Sequence, residues 1–204
     1  MSKKALGPKA LIYPQPVLIC GTYAEDGTPD AMNIAYGGVV NGNRVQINIG
    51  VRHKTSDNIK VKQCFTIGIA DVKNELQADY VGVVSGKDTA DKVAKTGWTV
   101  TKSEYVDAPV FEELPITLHC KVEEINQYNQ TLRIVAEVVE TTVDESVLDA
   151  EGKIDTAKLE AISFDPGNMK YLKVSEVVGN AFADGKKLEE QDPVFLQKIS
   201  ASSL

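Results

Sequence analysis

A cluster of cationic and hydroxyl side chains occupies residues 51–59, VRHKTSDNI, in a chain that is acidic overall. Arg52, His53 and Lys54 stand directly before Thr55, where a short helix is predicted to begin after a strand. The N–H groups exposed at a helix start, hydroxyls and cations are donors that bind phosphate or carboxylate. The stretch therefore indicates an anion site, but spacing alone fits a solvated loop before a capped helix equally well.

A second candidate lies in NIAYGGVV, where Asn33 and Tyr36 stand in a predicted strand ahead of Gly37 and Gly38. Glycine weakens a strand unless another backbone or a flat ligand approaches it closely. The pattern fits either a planar ring against the main chain or a bulge that closes a curled sheet, and the residues alone favour the bulge.

Other polar residues give weaker signals. The stretch SGKD, residues 85–88, offers a hydroxyl, backbone amides and Lys87 between two predicted helices, but a surface turn with a cap at Asp88 explains it without a ligand. His119 in ITLHCKV is interpreted as a satisfied strand histidine, and two distant histidines give little support for a metal site. No Ser-His-Asp arrangement can be assembled, so we assign no catalytic residue.

The elements around these candidates are predicted to be mainly strands. Residues 17–50 carry the signals of three strands in an antiparallel meander, with hairpin dipeptides at Asp26-Gly27 and Asn41-Gly42. The later elements are predicted in this order: a helix at 55–63, a strand in CFTIGIA, helices in NELQADYVGVV and DTADKVAKTG, and a long antiparallel pair in PITLHCKVEEINQ and QTLRIVAEVVETTV. Gly97 is expected to end the second of those helices.

Composition and the order of the predicted elements limit the possible fold classes. Hydrophobic residues make up 43% of the 204 residues and charged residues 25%, which is ordinary for a globular domain. Strands in hairpin order favour a barrel or curled sheet over a parallel sheet, and no G-x-G-x-x-G follows a strand. We therefore expect one domain over residues 1–204, with a core at 12–142 and a surface excursion, closing segment and tail at 143–204.

Charge, hydropathy and cysteine usage limit the classes of binding partner and the cellular compartment that we expect. A formal net charge of -7 would be repelled by a phosphate backbone, which disfavours nucleic acid. No run approaches about 18 consecutive apolar residues, and the start lacks the apolar segment of a secretory signal, so we expect no membrane association. Cys20, Cys64 and Cys120 lie in apolar runs without C-x-x-C spacing and are interpreted as reduced core residues of a cytoplasmic protein.

Four stretches of residues 12–127, taken together and in order, resemble the flavin reductase-like, FMN-binding split-barrel family, and particularly its flavoredoxin branch. They are YPQPVLICGTYAEDGTPDAMNIAYGGVV, VRHKTSDNIKVKQCFTIGIA, ADYVGVVSGKDTADKVAKTG and VDAPVFEELPITLHCKVEEI. The resemblance implies a mainly β fold with peripheral helices, a six-stranded antiparallel Greek-key split barrel. It also implies a homodimer with FMN held in two sites at the interface.

The resemblance assigns roles to residues by position. Three groups follow from it: Asn33, Ala35 and Tyr36 at the isoalloxazine ring; Arg52, Lys54, Thr55 and Asn58 at the phosphate and ribityl chain; and Ser85, Gly86 and Lys87 near the ring or its entrance. His53 is included as a cofactor contact without a defined role. Tyr36 replaces the Trp expected in many members, so a particular flavin potential does not transfer.

The implied function is that of an FMN-dependent oxidoreductase. Electrons would come from NAD(P)H or from a redox protein, and no nicotinamide motif distinguishes the two. The alternatives are an electron carrier without its own NAD(P)H oxidation and a non-catalytic FMN-binding protein. Lys87, if it lay near the ring, would stabilise the anionic reduced flavin and raise its potential.

Overall fold

Strands form most of the regular structure in the computed structural model, which describes residues 1–190. The strands are β1 (Gln15–Pro16), β2 (Leu18–Tyr23), β3 (Pro29–Ile34), β4 (Gly37–Asn41), β5 (Arg44–Gly50), β6 (Cys64–Ile69), β7 (Val100–Lys102), β8 (Pro109–Phe111), β9 (Ile116–Tyr128), β10 (Thr131–Val143), β11 (Ile162–Asp165) and β12 (Lys170–Lys173). The helices are α1 (Lys54–Lys62), α2 (Glu75–Val83), α3 (Lys92–Thr96), α4 (Thr156–Leu159) and α5 (Lys186–Glu190), with a 3-10 turn at Glu145–Val147. The predicted mainly β class with few helices is confirmed.

Seven strands form one antiparallel sheet in the order β3-β2-β6-β9-β10-β5-β4. Its two edge strands, β3 and β4, are separated in sequence only by Ala35 and Tyr36. A connection this short brings the two edges together, so the sheet curls into a barrel with an open seam. The prediction of six strands was wrong, because the chain bends at Ala35 and starts a separate strand.

The same bend breaks the predicted meander. Strand β3 pairs with β2, whereas β4 pairs with β5, and β5 pairs on its other side with β10. Gly37, the first residue of β4, packs closely on the core. An added Cβ would lie 2.9 Å from Leu18 Cδ1 and 3.1 Å from the Gln46 carbonyl oxygen, so a side chain at this position would not fit.

The barrel interior is filled by residues that alternate along its strands. Val45, Ile47 and Ile49 of β5 are buried, as their period-two spacing predicts. Full burial of such a side chain stabilises the fold by about 1.5–3 kcal/mol. The three cysteines are also free and buried, which confirms their interpretation as core residues.

Helices close the sides of the seam. Helix α2 packs on β3 at Gly82, where an added Cβ would lie 3.0 Å from Asn33 Cβ. Helix α3 ends at Gly97, whose φ of 75° is left-handed, as predicted. None of the helices in residues 1–190 has the length and apolarity needed to cross a bilayer.

The chain continues past the predicted core into a small second sheet. Strand β11 pairs with both β1 and β12, so a hairpin of residues 162–173 is attached beside the barrel. Asp165 fixes its turn by accepting hydrogen bonds from the backbone N–H groups of Gly167 and Asn168. Most of the predicted polar tail, residues 191–204, lies outside the described residues.

Candidate functional site

A cavity of about 480 Å³ opens at the seam of the barrel. We call it the seam cavity; its walls come from β3, β5, α2 and the β11–β12 hairpin, and its lining comprises Met32, Asn33, Ile34, Ala35, Tyr36, Asn48, Ile49, Gly50, His53, Asp79, Gly82, Val83, Thr131, Phe164, Met169 and Tyr171. The volume lies within the range of roughly 300–1,000 Å³ of small-molecule sites. Its apolar walls with a few polar groups suit a planar heteroaromatic ring.

The bend between the two edge strands is held by hydrogen bonds. Both the backbone N–H and the side-chain amide of Asn48 donate to the Tyr36 carbonyl oxygen, at 2.8 and 3.2 Å. The Tyr36 side chain is 61% exposed and lies at the rim of the seam cavity. Asn33 Nδ2 donates to the Ala78 carbonyl oxygen at 3.0 Å and so joins β3 to α2.

A smaller cavity of about 110 Å³ adjoins the first at the start of α1. This helix-start cavity is lined by residues 53–55, residues 81–86, Met32 and Lys92. His53 lines both cavities, and its ring packs against Gly50, where an added Cβ would lie 3.0 Å from His53 Cδ2. The two cavities also share Met32, Gly82 and Val83 as lining residues and are therefore adjacent.

The first turn of α1 presents uncapped backbone donors. No side chain caps the helix, and within residues 1–190 the N–H groups of Lys54, Thr55 and Ser56 have no protein acceptor. Such groups carry the positive end of the helix dipole. They give the helix-start cavity the chemistry of an anion site.

The hydroxyls beside these amides are already committed. Thr55 Oγ1 donates to Asp30 Oδ2 at 2.6 Å, and Ser56 Oγ donates to the Gly50 carbonyl oxygen at 2.6 Å. Neither hydroxyl proton is free to bind an anion in the cavity. Thr55 would therefore contribute its backbone N–H to a phosphate, and its side chain fixes the start of the helix.

A buried ion pair supports the helix-start cavity. Lys92 Nζ lies 3.3 Å from Asp30 Oδ1, and these residues are 3% and 4% exposed. The ammonium also donates to the carbonyl oxygens of Val81 and Val84 at the end of α2, at 3.2 and 3.1 Å. Lys92 thus joins three elements, since it stabilises the negative end of α2 while pairing with β3.

Gly86 packs directly on this pair. An added Cβ at Gly86 would lie only 2.4 Å from Asp30 Oδ1. Because Asp30 is held by Lys92 and Thr55, it has no room to move aside. The glycine of the SGKD stretch is therefore required by close approach of the loop to β3.

A second hydrogen-bond network lies at the other end of the seam cavity. Tyr171 Oη donates to Asp79 Oδ1 at 2.8 Å and accepts from Asn33 Nδ2 at 3.2 Å. Burial, and then the hydrogen bond to Asp79, raise the pKa of the Tyr171 phenol far above its usual value. The phenol stays protonated and remains a donor at all ordinary pH values.

The structure brings most of the predicted site residues to the two cavities. Those at the seam cavity are Asn33, Ala35, Tyr36 and His53, and those at the helix-start cavity are His53, Lys54, Thr55, Ser85 and Gly86. The structure thus gives His53, which was predicted as a cofactor contact without a defined role, a position between the two cavities. Ser85 and Gly86 lie at the helix start, away from the large seam cavity.

Three predicted residues line neither cavity. Arg52 is exposed on the surface beside α1. Asn58 is buried and donates to Thr22 Oγ1 at 3.0 Å, which ties α1 to β2. Lys87 pairs with Asp57 at 2.8 Å and lines a neighbouring cleft that shares Lys54 and Gly86 with the helix-start cavity.

Several lining residues had no signal in the sequence. Lys92 and Asp79 are charged residues in predicted helices, where an exposed position is the usual expectation. Tyr171 lies beyond the predicted core, in the closing segment, where no site residue was predicted. His119, in contrast, is a satisfied strand histidine as interpreted, because its ring nitrogens hydrogen-bond to Ser103 and Thr142.

These residues fit the flavin that the sequence resemblance implies. The seam cavity accommodates a planar ring beside Asn33 and Tyr36, and the helix-start cavity offers unpaired amides to a phosphate. Within residues 1–190, no group of three or more His, Cys, Asp or Glu side chains is arranged to hold a metal ion.

Comparison with solved structures gives several close folds. Flavoredoxin of Desulfovibrio vulgaris (Miyazaki F) is 31% identical with a TM-score of 0.86, covering 90% of this chain and 100% of that chain. Flavoredoxin from Methanosarcina acetivorans is 24% identical with a TM-score of 0.84, covering 92% and 100%. An FMN-binding protein from Thermus thermophilus is 15% identical with a TM-score of 0.71, covering 88% and 99%.

The family comparison agrees with the fold. The model described as flavin reductase like domain matches residues 10–159, and so ends before the β11–β12 hairpin. A comparison with curated proteins gives no match. The match over most of the chain and the flavoredoxin similarity confirm the resemblance found in the sequence: the chain belongs to the flavin reductase-like family of split-barrel proteins.

Proposed function

We propose that the protein is an FMN-binding oxidoreductase that passes electrons from NAD(P)H or a redox protein to an acceptor. The observation that carries this proposal is that the seam cavity lies next to the helix-start cavity and shares His53 with it. A ring-sized cavity beside an uncapped helix start matches a ligand with a flat ring at one end and a phosphate at the other.

Different groups of the protein would bind the phosphate and the ring of FMN. The N–H groups of Lys54, Thr55 and Ser56 would bind the phosphate, with the Lys54 ammonium nearby. Hydrogen bonds to a charged group are each worth about 1.5–3 kcal/mol. The seam cavity would orient the ring and exclude water from its buried face.

Bound FMN supplies the electron-transfer chemistry itself. No general base among the cavity residues is required for that chemistry, and the protein contributes placement and charge. The two flavoredoxin structures favour a carrier that receives its electrons from a protein as the second candidate function.

We also propose that the chain forms a homodimer through the edge of the sheet near the seam. Tyr36, Val39 and Val40 are 61%, 75% and 41% exposed, so apolar side chains follow an unpaired edge strand beside the cavity rim. Sedimentation equilibrium should give twice the chain mass. A monomer at all concentrations would overturn the dimer and leave the cavity intact.

Flavin binding tests the main proposal. The purified protein, stripped and reconstituted, should bind one FMN per chain and show a visible flavin band. Riboflavin, which lacks the phosphate, should bind at least about tenfold more weakly, because one lost charge-assisted hydrogen bond already accounts for about 1.4 kcal/mol. Failure to bind FMN after reconstitution would overturn the proposal in favour of a barrel that retains the fold without flavin.

The electron donor is tested separately. Anaerobic stopped-flow mixing of the FMN-loaded protein with NADH and with NADPH should bleach the flavin band if the protein is a reductase. Absent bleaching with both nucleotides, together with tight FMN binding, would exclude the reductase. Reduction of the bound FMN by a redox protein would then separate the carrier from a non-catalytic FMN-binding protein.

A further inference from the structure

The charges of the two cavities are unequally distributed. Among the described residues that line the seam cavity, Asp79 supplies the carboxylate, and no lysine or arginine lines it. His53 lies at the opposite end, toward the start of α1. The seam cavity therefore carries negative charge at its α2 end.

The position of Asp79 is fixed by its neighbours. Its half-buried side chain accepts the hydrogen bond from Tyr171, and Tyr171 is held in turn by Asn33. Tyr171 belongs to the hairpin that lies beyond residues 10–159, the part matched by the family model. A segment outside the matched range thus holds an acidic side chain at the cavity.

The buried cation of the helix-start cavity does not offset this charge. Lys92 forms an ion pair with Asp30 and donates hydrogen bonds to two carbonyl oxygens. Lys87, which the sequence resemblance placed near the ring, pairs with Asp57 on a separate cleft.

We propose that Asp79 lowers the reduction potential of the flavin held in the seam cavity, which makes the protein a stronger reductant. This inference rests on the proposed function. Uptake of two electrons and one proton leaves a neutral isoalloxazine with one negative charge. A fixed, half-buried carboxylate that lines the same cavity repels that charge and weakens binding of the reduced form relative to the oxidised form.

The test compares the affinities of the oxidised and reduced cofactor. Asp79→Asn keeps the size of the side chain and an acceptor oxygen for Tyr171, and removes only the charge. FMN dissociation constants are measured before and after reduction with dithionite, and the midpoint potential is measured by spectroelectrochemistry. The ratio of reduced to oxidised Kd should fall about tenfold, which corresponds to a potential about 30 mV higher.

Glu75 offers a matched control on the same helix. It lies one turn before Asp79 and, like Asp79, lines the open outer cleft beside the hairpin, but it does not line the seam cavity. Glu75→Gln therefore removes the same charge outside the seam cavity. Its effect on the Kd ratio should stay below about twofold because solvent screens it. Asp79→Glu should retain a potential close to that of the wild type, because it keeps the charge.

Each result has a distinct meaning. An unchanged Kd ratio in a folded, FMN-binding Asp79→Asn variant overturns the role of Asp79 and leaves the proposed function standing. An equal shift in Glu75→Gln also overturns it, because net charge alone would then explain the effect. If Asp79→Asn does not fold, a large shift in Asp79→Glu overturns the inference and an unchanged potential supports it. A wild type that binds no FMN overturns both proposals.

Discussion

The two ends of the proposed flavin site are built differently. The helix-start cavity presents mainly backbone: uncapped N–H groups at residues 54–56 and a loop that packs through Gly86 on a buried ion pair. The seam cavity presents side chains from five separate segments, including Asn33, Asp79 and Tyr171. Anion recognition is therefore part of the scaffold, whereas the surroundings of the ring depend on individual side chains.

This difference predicts how each end responds to mutation. Changes beneath the helix-start cavity should lower the stability of the fold or discriminate between FMN and riboflavin. Changes at the seam cavity should affect the binding of FMN and riboflavin alike, because this cavity would contact the ring that both flavins share.

The largest effect is expected from Lys92→Met. The substitution leaves Asp30 buried without its partner, which should lower the free energy of unfolding by about 3–5 kcal/mol in urea denaturation. The double variant Lys92→Met with Asp30→Asn should recover part of that loss, because no buried charge remains.

Lys95 provides the control on the same helix. Its pair with Asp91 is exposed, with side chains 52% and 66% accessible, and such pairs contribute about 0–1 kcal/mol. Lys95→Met should therefore unfold almost as the wild type does. Equal losses for Lys92→Met and Lys95→Met would show that the buried pair does not support the helix-start cavity.

The next effect tests the backbone donors directly. Lys54 is the first residue of α1, where proline is tolerated, and His53 before it is extended with φ of -72° and ψ of 148°, which suits a following proline. Lys54→Pro removes one N–H, whereas Lys54→Ala removes only the ammonium. Relative to Lys54→Ala, FMN affinity should fall by about 1.5–3 kcal/mol, or about 10- to 100-fold in Kd.

Riboflavin separates this effect from general damage. Its affinity should be the same in Lys54→Pro and Lys54→Ala, as measured by fluorescence titration, because it has no phosphate to contact the missing N–H. Equal FMN affinities for the two variants would place the phosphate away from the start of α1.

The helix-start cavity could be predicted because its groups are near one another in sequence. Residues 52–55 combine cationic side chains with a predicted helix start, and the strand pattern before them places that start at the end of a strand. Their detailed roles could not be predicted, because Thr55 has a buried carboxylate within 2.6 Å that lies 25 residues earlier. Local patterns do not contain such a long-range contact.

The seam cavity was only half predictable for the same reason. Asn33 and Tyr36 were found because the strand and its glycines form a continuous stretch. Tyr171 was missed because alternation shows that a strand has two faces but not which distant segment covers one of them. The extra strand was missed because the bend at Ala35 depends on close packing of Gly37 against Leu18.

A smaller effect is expected from Tyr171→Phe at the seam cavity. Loss of the hydroxyl removes the hydrogen bond to Asp79 and the acceptor for Asn33 Nδ2. The affinities for FMN and riboflavin should fall together by about 0.5–1.5 kcal/mol in fluorescence titrations. Tyr128, 78% exposed on the long hairpin, provides a matched Tyr→Phe control that should change neither affinity. A loss of FMN binding without a loss of riboflavin binding in Tyr171→Phe would contradict the assignment of the seam cavity to the ring alone.

The smallest effect concerns the hairpin that carries Tyr171. Asp165 accepts hydrogen bonds from Tyr13, Asn168 and Gly167, and the bonds from Tyr13 and then Asn168 lower its pKa from 3.8 to about 2. Because the folded pKa is depressed, the contribution to stability is present above pH 3.8 and is lost as the pH falls toward 2.

The variant Asp165→Asn lacks this titration, whereas all other carboxylates titrate equally in both proteins. Urea denaturation at pH 5 and at pH 3 should therefore show a larger loss of stability for the wild type than for Asp165→Asn. The hairpin is attached beside the barrel, so this change should leave FMN and riboflavin affinities at pH 7 less affected than Tyr171→Phe does. An equal loss of stability for both proteins would mean that the Asp165 carboxylate does not hold the hairpin turn in place.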